Sequence, residues 1–217
     1  MRLNRTLCGV GMIGTGAAAL AAVVATAGLG AGPATASSAP APAESVALGT
    51  TSYQLDSVHS GVIFKITHAG AAPFYGMFHG ISGSMTMDDA SPANSQLSVT
   101  INTDSVATGN ADRDGHLRAA DFFNVRQFPT STFTASNFRT SGNGGWTVEG
   151  KLTLLGQTKP VSATLTHTGE GEFRGKRSGY EARLSFDRSD FGMTKYIQEG
   201  VLGDRVDLIV FFQGIEQ

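Results

Sequence analysis

Cysteine is nearly absent from this sequence. The one cysteine, Cys8, lies close to the start of the chain, so an intrachain disulfide is excluded and the fold must rest on packing. Catalytic signatures are missing as well: there is no Gly-x-Ser-x-Gly elbow, and Ser60 beside His59 is only an adjacent pair. The sequence therefore favours a protein that binds a partner over one that catalyses a reaction.

Positive charge is also scarce. The chain has 16 Lys and Arg against 18 Asp and Glu, which gives a formal net charge of −2. Residues 1–36 contain two arginines and no acid, so the remaining chain carries −4. Nucleic acid is not expected as a partner, because phosphate binding needs a concentrated basic face.

Histidine pairs with metal-ligand spacing do not occur. None of the five histidines has another at i+2 or i+4, although folding could still gather distant ones. His68 alternates with Phe64 and Ile66 on one predicted strand face. It is expected to be either a hydrogen-bonded interior histidine or a contact for the polar end of a ligand.

The segment 110–121 is similar to a calcium-binding EF-hand loop, with Asn110, Asp112, Asp114 and Asp121 at positions one, three, five and twelve. A strand pattern precedes the segment where an EF-hand needs a helix, and position twelve is Asp instead of Glu. We therefore interpret these side chains as caps of a helix start and a turn. No metal, no catalytic residue and no obligatory cofactor are predicted.

The N-terminal region has the pattern of an export signal. Residues 1–36 combine a basic start, an apolar run rich in Ala and Gly, and a small-residue cleavage site that ends at Ala36. An uncleaved membrane anchor is the alternative, because about 20 apolar residues can span a bilayer. Residues 37–51 are predicted to be a flexible linker and 52–217 the folded domain. The expected location is periplasmic or secreted.

From residue 53 onward, apolar and polar side chains alternate, as they do in half-buried strands. Eight main strands are predicted, at 62–68, 74–88, 97–102, 131–138, 146–154, 161–167, 180–186 and 206–212, with a short leading strand at 53–56. Short turns such as 141–145 favour antiparallel neighbours. Residues 111–123 break the alternation, and Leu117, Ala120 and Phe123 share one helical side. We predict an all-β, antiparallel, eight-stranded barrel with one short helix covering an opening.

The thirteen phenylalanines suggest either a filled core or a ligand cavity, since an eight-stranded barrel can be packed or can hold one small molecule. Ile63, Ile209 and Phe211 place apolar side chains on the opposite face as well, which a homodimer contact would explain. The charged group Asp187, Arg188 and Asp190 is expected to be solvated or ion-paired.

Five segments in order resemble the YceI-like family. They are YQLDSVHSGVIFKITHAG (53–70), GMFHGISGSMTMD (76–88), DRDGHLRAADFFNVRQFPTSTF (112–133), VEGKLTLLGQTKPV (148–161) and FDRSDFGM (186–193). The resemblance implies an exported lipocalin-like barrel, often dimeric, with an elongated apolar tunnel. Its expected ligand is an isoprenoid quinone, a polyprenyl phosphate or a fatty-acid derivative.

Carried over by position, the resemblance implies a set of ligand-binding residues. They are Phe64, Ile66, His68, Phe78, Leu117, Phe122, Phe123, Phe128 and Phe133 along the tunnel. No motif shows which end of the tunnel meets the head group, and Arg113 and His116, at the mouth beside the predicted helix, are the candidates for that contact. The expected function is non-catalytic binding, transport or storage of a long-chain lipid, with transient membrane contact. The alternatives are a quinone-linked redox accessory, a metal-dependent enzyme, and a structural cell-envelope protein with a solid core.

Overall fold

The computed structural model describes residues 49–142 and 144–217. The predicted signal peptide and nearly all of the predicted linker lie outside the described residues. The first strand begins at Thr50, two residues before the predicted domain start.

Eleven strands and one α-helix make up the described chain. They are β1 (Thr50–Leu55), β2 (Gly61–His68), β3 (Ala72–Phe78), β4 (Ile81–Asp88), β5 (Gln96–Asn102), β6 (Val106–Ala107), α1 (Ala111–Arg118), β7 (Thr130–Ser141), β8 (Gly145–Leu154), β9 (Gln157–Glu172), β10 (Lys176–Asp187) and β11 (Leu202–Glu216). Single 3-10 turns lie at Pro92–Asn94, Thr103–Ser105 and Arg188–Phe191. Among the described residues, no helix has the length and hydropathy needed to cross a membrane.

Eight antiparallel strands close a barrel in the order β1-β4-β5-β7-β8-β9-β10-β11, and β11 pairs back to β1. The predicted barrel is confirmed, but two details of the prediction were wrong. The leading strand is not accessory: Tyr53 pairs with Met85 on one side and with Glu216 on the other, so β1 closes the barrel. The predicted strand 74–88 is two strands, β3 and β4, which are separated at His79 and Gly80.

The remaining strands, β2, β3 and β6, extend one end of the barrel. β2 pairs with the first part of β11, β3 pairs with β2, and β6 pairs with β3. In the sheet order β6 is the last strand of this row. The chain then continues into α1 before it returns to the barrel as β7.

The helix is shorter than the predicted 111–123. It ends at Arg118, because Ala119 has an extended backbone with ψ of 172°. The next residues fold back over the helix end, where the N–H of Phe123 donates to the carbonyl of Leu117 at 2.9 Å. Phe123 therefore approaches the barrel from a turn instead of from the helix.

The core does not fill the barrel evenly. At the end closed by β1, buried side chains from opposing strands meet; we call this region the packed half and define it by Met85, Leu97, Phe138, Val148, Leu165, Tyr180 and Phe212. The ring of Tyr180 stacks on Phe212 at 5.3 Å, and burial raises the pKa of its hydroxyl. The other end, beneath β2, β3 and α1, contains a cavity; we call it the hollow half.

Candidate functional site

The hollow half contains a cavity of about 400 Å³, a volume within the range of small-molecule sites in proteins. Its wall is built from β2, β3, α1, the ends of the barrel strands nearest to them, and residues 192–201, which we call the rim loop. Most of the lining is aliphatic or aromatic, and six of the chain's phenylalanines take part. Such a wall favours an apolar molecule over a polar one.

Strand alternation places the aromatic part of this wall. Phe64 is 9% exposed and faces the cavity, whereas Lys65 faces outward and pairs with Asp207 at 2.9 Å. The Phe64 ring lies over Gly76, where a Cβ atom would come within 2.3 Å of the ring. Gly76 is therefore required for this close approach, and any larger residue would force the ring to move.

Hydrogen bonds hold α1 over the cavity. The side chain of Asn110 accepts from the backbone N–H of Arg113 at 3.0 Å, which caps the helix start. Asp114 accepts from the N–H of Thr108 at 2.8 Å, and the Arg113 guanidinium donates to the carbonyl of Thr108 at 2.8 Å. These bonds fix the helix so that Leu117 lines the cavity.

The same contacts replace the EF-hand geometry. Asn110 and Asp114 are occupied by the cap and by Thr108, which confirms their predicted role. Asp121 instead lies beside His116 and Lys195, at 3.5 and 3.4 Å. Within the described ranges, no group of three or more His, Cys, Asp or Glu side chains is arranged to hold a metal ion.

Polar side chains gather at the mouth of the cavity. His68, Arg113 and His116 line it and are exposed, and the Arg113 guanidinium lies 4.6 Å from the centre of the Phe74 ring. Hydrogen bonds from His116 and then Lys195 lower the pKa of Asp121. The site thus has an apolar interior and a polar entrance.

Arg188 corrects one expectation from the sequence. Its side chain is 2% exposed and lines the cavity wall, whereas the sequence suggested a solvated or ion-paired group. Its guanidinium donates to the carbonyls of Gly203, Met193 and Lys195 at 2.8, 3.0 and 2.8 Å. Burial lowers its pKa, partly opposed by the charge of Asp204. These hydrogen bonds from Arg188 connect the rim loop to the start of β11 and so hold the loop against the barrel.

Nine of the eleven residues predicted for the site line the cavity. They are Phe64, Ile66, His68, Phe78, Arg113, His116, Leu117, Phe122 and Phe123. Phe133 is inside the barrel but borders a separate small gap. Phe128 does not line the cavity, because its ring lies against Gly156. Their role in binding stays a prediction.

Several lining residues were missed, among them Phe74, Phe186, Met193, Tyr196 and Leu202. Phe74 and Phe186 lie on predicted strands and alternate with other inward-facing residues. This alternation could have identified both of them as lining residues. The rim loop has no regular period, so no sequence signal placed Met193 or Tyr196 in the wall.

Fold and cavity together define a class of protein: a β-barrel that is packed at one end and keeps an apolar cavity with a polar mouth at the other. The YceI-like domain matches residues 53–213. The chain belongs to the YceI-like family.

Known relatives agree with this assignment. A UPF0312 protein of Ectopseudomonas mendocina is 40% identical over 161 residues, which cover 73% of this chain and 83% of the relative. The crystal structure of Burkholderia cenocepacia BcnA superimposes with a TM-score of 0.67 at 23% identity, covering 73% of this chain and 98% of BcnA. A polyisoprenoid binding domain from Saccharophagus degradans, implicated in plant cell wall breakdown, has a TM-score of 0.59 at 16% identity, covering 76% and 98%. The two structures share the fold.

Proposed function

We propose that this protein binds a long-chain amphiphilic lipid, a polyisoprenoid, an isoprenoid quinone or a fatty-acid derivative, with its tail in the hollow half. The observation that carries the proposal is the cavity of about 400 Å³ with a largely hydrocarbon lining. Transfer of a tail from water into this lining gains about 0.8 kcal/mol per methylene. The printed description of the Saccharophagus degradans domain as polyisoprenoid binding supports the same ligand class.

The head group stays at the mouth in this proposal. Arg113 and His116 lie there, on the exposed side of α1, and His68 lies at the end of β2. A polar head group at this position keeps its hydration and gains hydrogen bonds, whereas at the bottom of the cavity it would lose both. Arg113 also provides a permanent positive charge for an anionic head group.

Binding of this kind needs no covalent step, so we propose a carrier or store of lipid and not an enzyme. The predicted export signal supports a role in the cell envelope or outside the cell, with transient contact at a membrane for loading. The half-buried outward side chains of Ile63, Ile209 and Phe211 support a homodimer contact on the outer face of β2 and β11.

The direct test is mass spectrometry of the exported protein purified without detergent. Under native conditions we expect a mass increment that matches a lipid recovered in the organic extract. Phe64→Arg should lose this increment, because the new cation either occupies the tail path or is desolvated beside it.

Lys65→Arg is the matched control, since position 65 faces outward and arginine can still pair with Asp207. Circular dichroism must show that both variants are folded. A folded Phe64→Arg protein that retains the same lipid at the same stoichiometry would refute the placement of the tail.

A further inference from the structure

The cavity ends at a floor made by three side chains. Ile101, Leu152 and Leu208 line both the cavity and a separate gap of about 20 Å³ beyond it. They come from β5, β8 and β11, three strands on different sides of the barrel. Ile101 and Leu152 are 7% and 3% exposed. Together the three residues close the bore between the hollow and packed halves.

The floor is supported from the packed side. Leu152 pairs across the strands with Phe133, and the Phe133 ring lies over Gly150, where a Cβ atom would come within 2.4 Å of it. Phe133 also borders the small gap with Leu97 and Phe212. Because this side of the floor is packed apart from the small gap, a ligand cannot push Leu152 far aside without disturbing the packed half.

Because the floor closes its inner end, the cavity can hold only a limited number of tail carbons. A dry apolar cavity of about 150 Å³ holds one benzene, which has six carbons. By the same ratio, the 400 Å³ of this cavity hold on the order of sixteen carbons. This corresponds to about three isoprene units, or to one ordinary fatty acyl chain.

We infer that Ile101, Leu152 and Leu208 form a length stop that selects lipids by the part of the tail they can bury. Tails up to about sixteen carbons lie wholly inside, and longer tails leave the excess outside the mouth, where it gains nothing from the cavity. The inference rests on the proposed function and adds the tail length to it.

A chain-length series tests the stop. The delipidated protein is titrated with saturated fatty acids of increasing length, below their micelle concentrations, in competition with a fluorescent fatty acid. Affinity should rise about fourfold with each added methylene and level off at about sixteen carbons. A rise that continues with the same slope to twenty-two carbons would overturn the stop.

Leu152→Ala sharpens the test. It removes three carbons and joins the small gap to the cavity, so the plateau should move to tails about three carbons longer. Leu165→Ala is the control: Leu165 is 1% exposed in the packed half, and its truncation should lower stability without moving the plateau. Leu208→Ala replaces Leu152→Ala if the latter does not fold.

The outcomes separate the two claims. An unmoved plateau in a folded Leu152→Ala or Leu208→Ala protein overturns the assignment of the floor, while lipid binding itself stands. Failure of the wild-type protein to bind fatty acids or prenyl alcohols of any length overturns the proposed function, and the length stop with it.

Discussion

The packed half and the hollow half of the barrel share the strands β7, β8, β10 and β11, yet different forces stabilise them. In the packed half, buried apolar side chains such as Phe138 and Leu165, each 1% exposed, meet across the barrel. In the hollow half, hydrogen bonds from charged side chains to backbone carbonyls provide stabilisation instead. Arg188 holds the rim loop, and Arg118 donates to the carbonyls of Asp104 and Val106 at 2.9 and 3.0 Å.

The difference shows how a small barrel keeps a cavity open. Space for a ligand removes the partner atoms that a side chain would otherwise contact, so packing alone would hold this end weakly. Hydrogen bonds at the periphery restore rigidity without filling the cavity. Substitutions in the two halves should therefore have different consequences.

The largest effect is expected at Arg188. Arg188→Met keeps much of the side-chain volume but leaves one buried and two part-buried carbonyls without their donor, at about 1–3 kcal/mol each, so we expect stability to fall by at least about 3 kcal/mol. Denaturant unfolding measures this loss, and lipid binding should weaken as the rim loop loosens. Arg183→Met, at an exposed arginine that pairs with Glu181, should change stability little. Equal effects at both positions would contradict the role given to Arg188.

Phenylalanine truncation compares the halves directly. Phe138→Ala should cost about 3–5 kcal/mol, because it opens a cavity in tightly packed surroundings. Phe186→Ala should reduce stability clearly less, since that ring already faces the cavity. Phe186→Ala should also alter lipid affinity, whereas Phe138→Ala should leave lipid affinity unchanged. Thermal unfolding and the displacement titration together measure both quantities. Similar stability losses would indicate that the two halves do not differ in packing.

The turn that connects β1 to β2 should respond to pH. Asp56 lies in the turn from β1 to β2 and contacts His59 and the Arg177 guanidinium at 2.9 and 2.6 Å. The hydrogen bond from His59 and then that from Arg177 lower the pKa of Asp56 below its ordinary value of 3.8. The carboxylate therefore stabilises the fold above that value, and its contribution is lost as the pH falls through the lower pKa of the folded state.

Asp56→Asn isolates this contribution. At neutral pH the variant should be less stable than the wild type by about 1.5–3 kcal/mol, the range for hydrogen bonds to charged groups. The difference should shrink as the pH is lowered below about 4. Urea unfolding of both proteins at several pH values measures it. A difference that stays constant from pH 7 to pH 2 would show that Asp56 is not the responsive group.

The smallest effect is expected at the helix cap. Asn110→Ala removes the acceptor for the N–H of Arg113 and should cost about 1 kcal/mol. Because α1 covers the hollow half, amide exchange should quicken in α1 while the amides of β9 in the packed half keep their protection. Asn110→Asp, which retains the cap, should behave like the wild type.

Much of the fold could be predicted from the sequence, because alternation at positions such as Val62, Phe64 and Ile66 reports directly which side of a strand is buried. The role of β1 could not, because closure depends on pairings with Met85 and Glu216 that are distant in sequence. The helix end was missed since Leu117, Ala120 and Phe123 fit a helical period although Ala119 is extended.

For the site, the resemblance to the YceI-like family supplied residues that the pattern alone left open. Arg188 shows the limit of pattern-based reasoning: a charged residue in an acidic neighbourhood is normally solvated, and only the carbonyls of the rim loop and the start of β11 make its burial favourable. The division of the barrel into a packed half and a hollow half could not be predicted from the sequence either, because it depends on volumes summed over side chains from many strands.

The most direct measurement is a crystal structure of the protein with a saturated fatty acid of about sixteen carbons that carries bromine at its tail end. If the tail enters the hollow half and the carboxylate stays at the mouth, the anomalous peak of the bromine lies next to Ile101, Leu152 and Leu208. A bromine peak beside Arg113 and His116, or on the outer face of the barrel, would contradict the account.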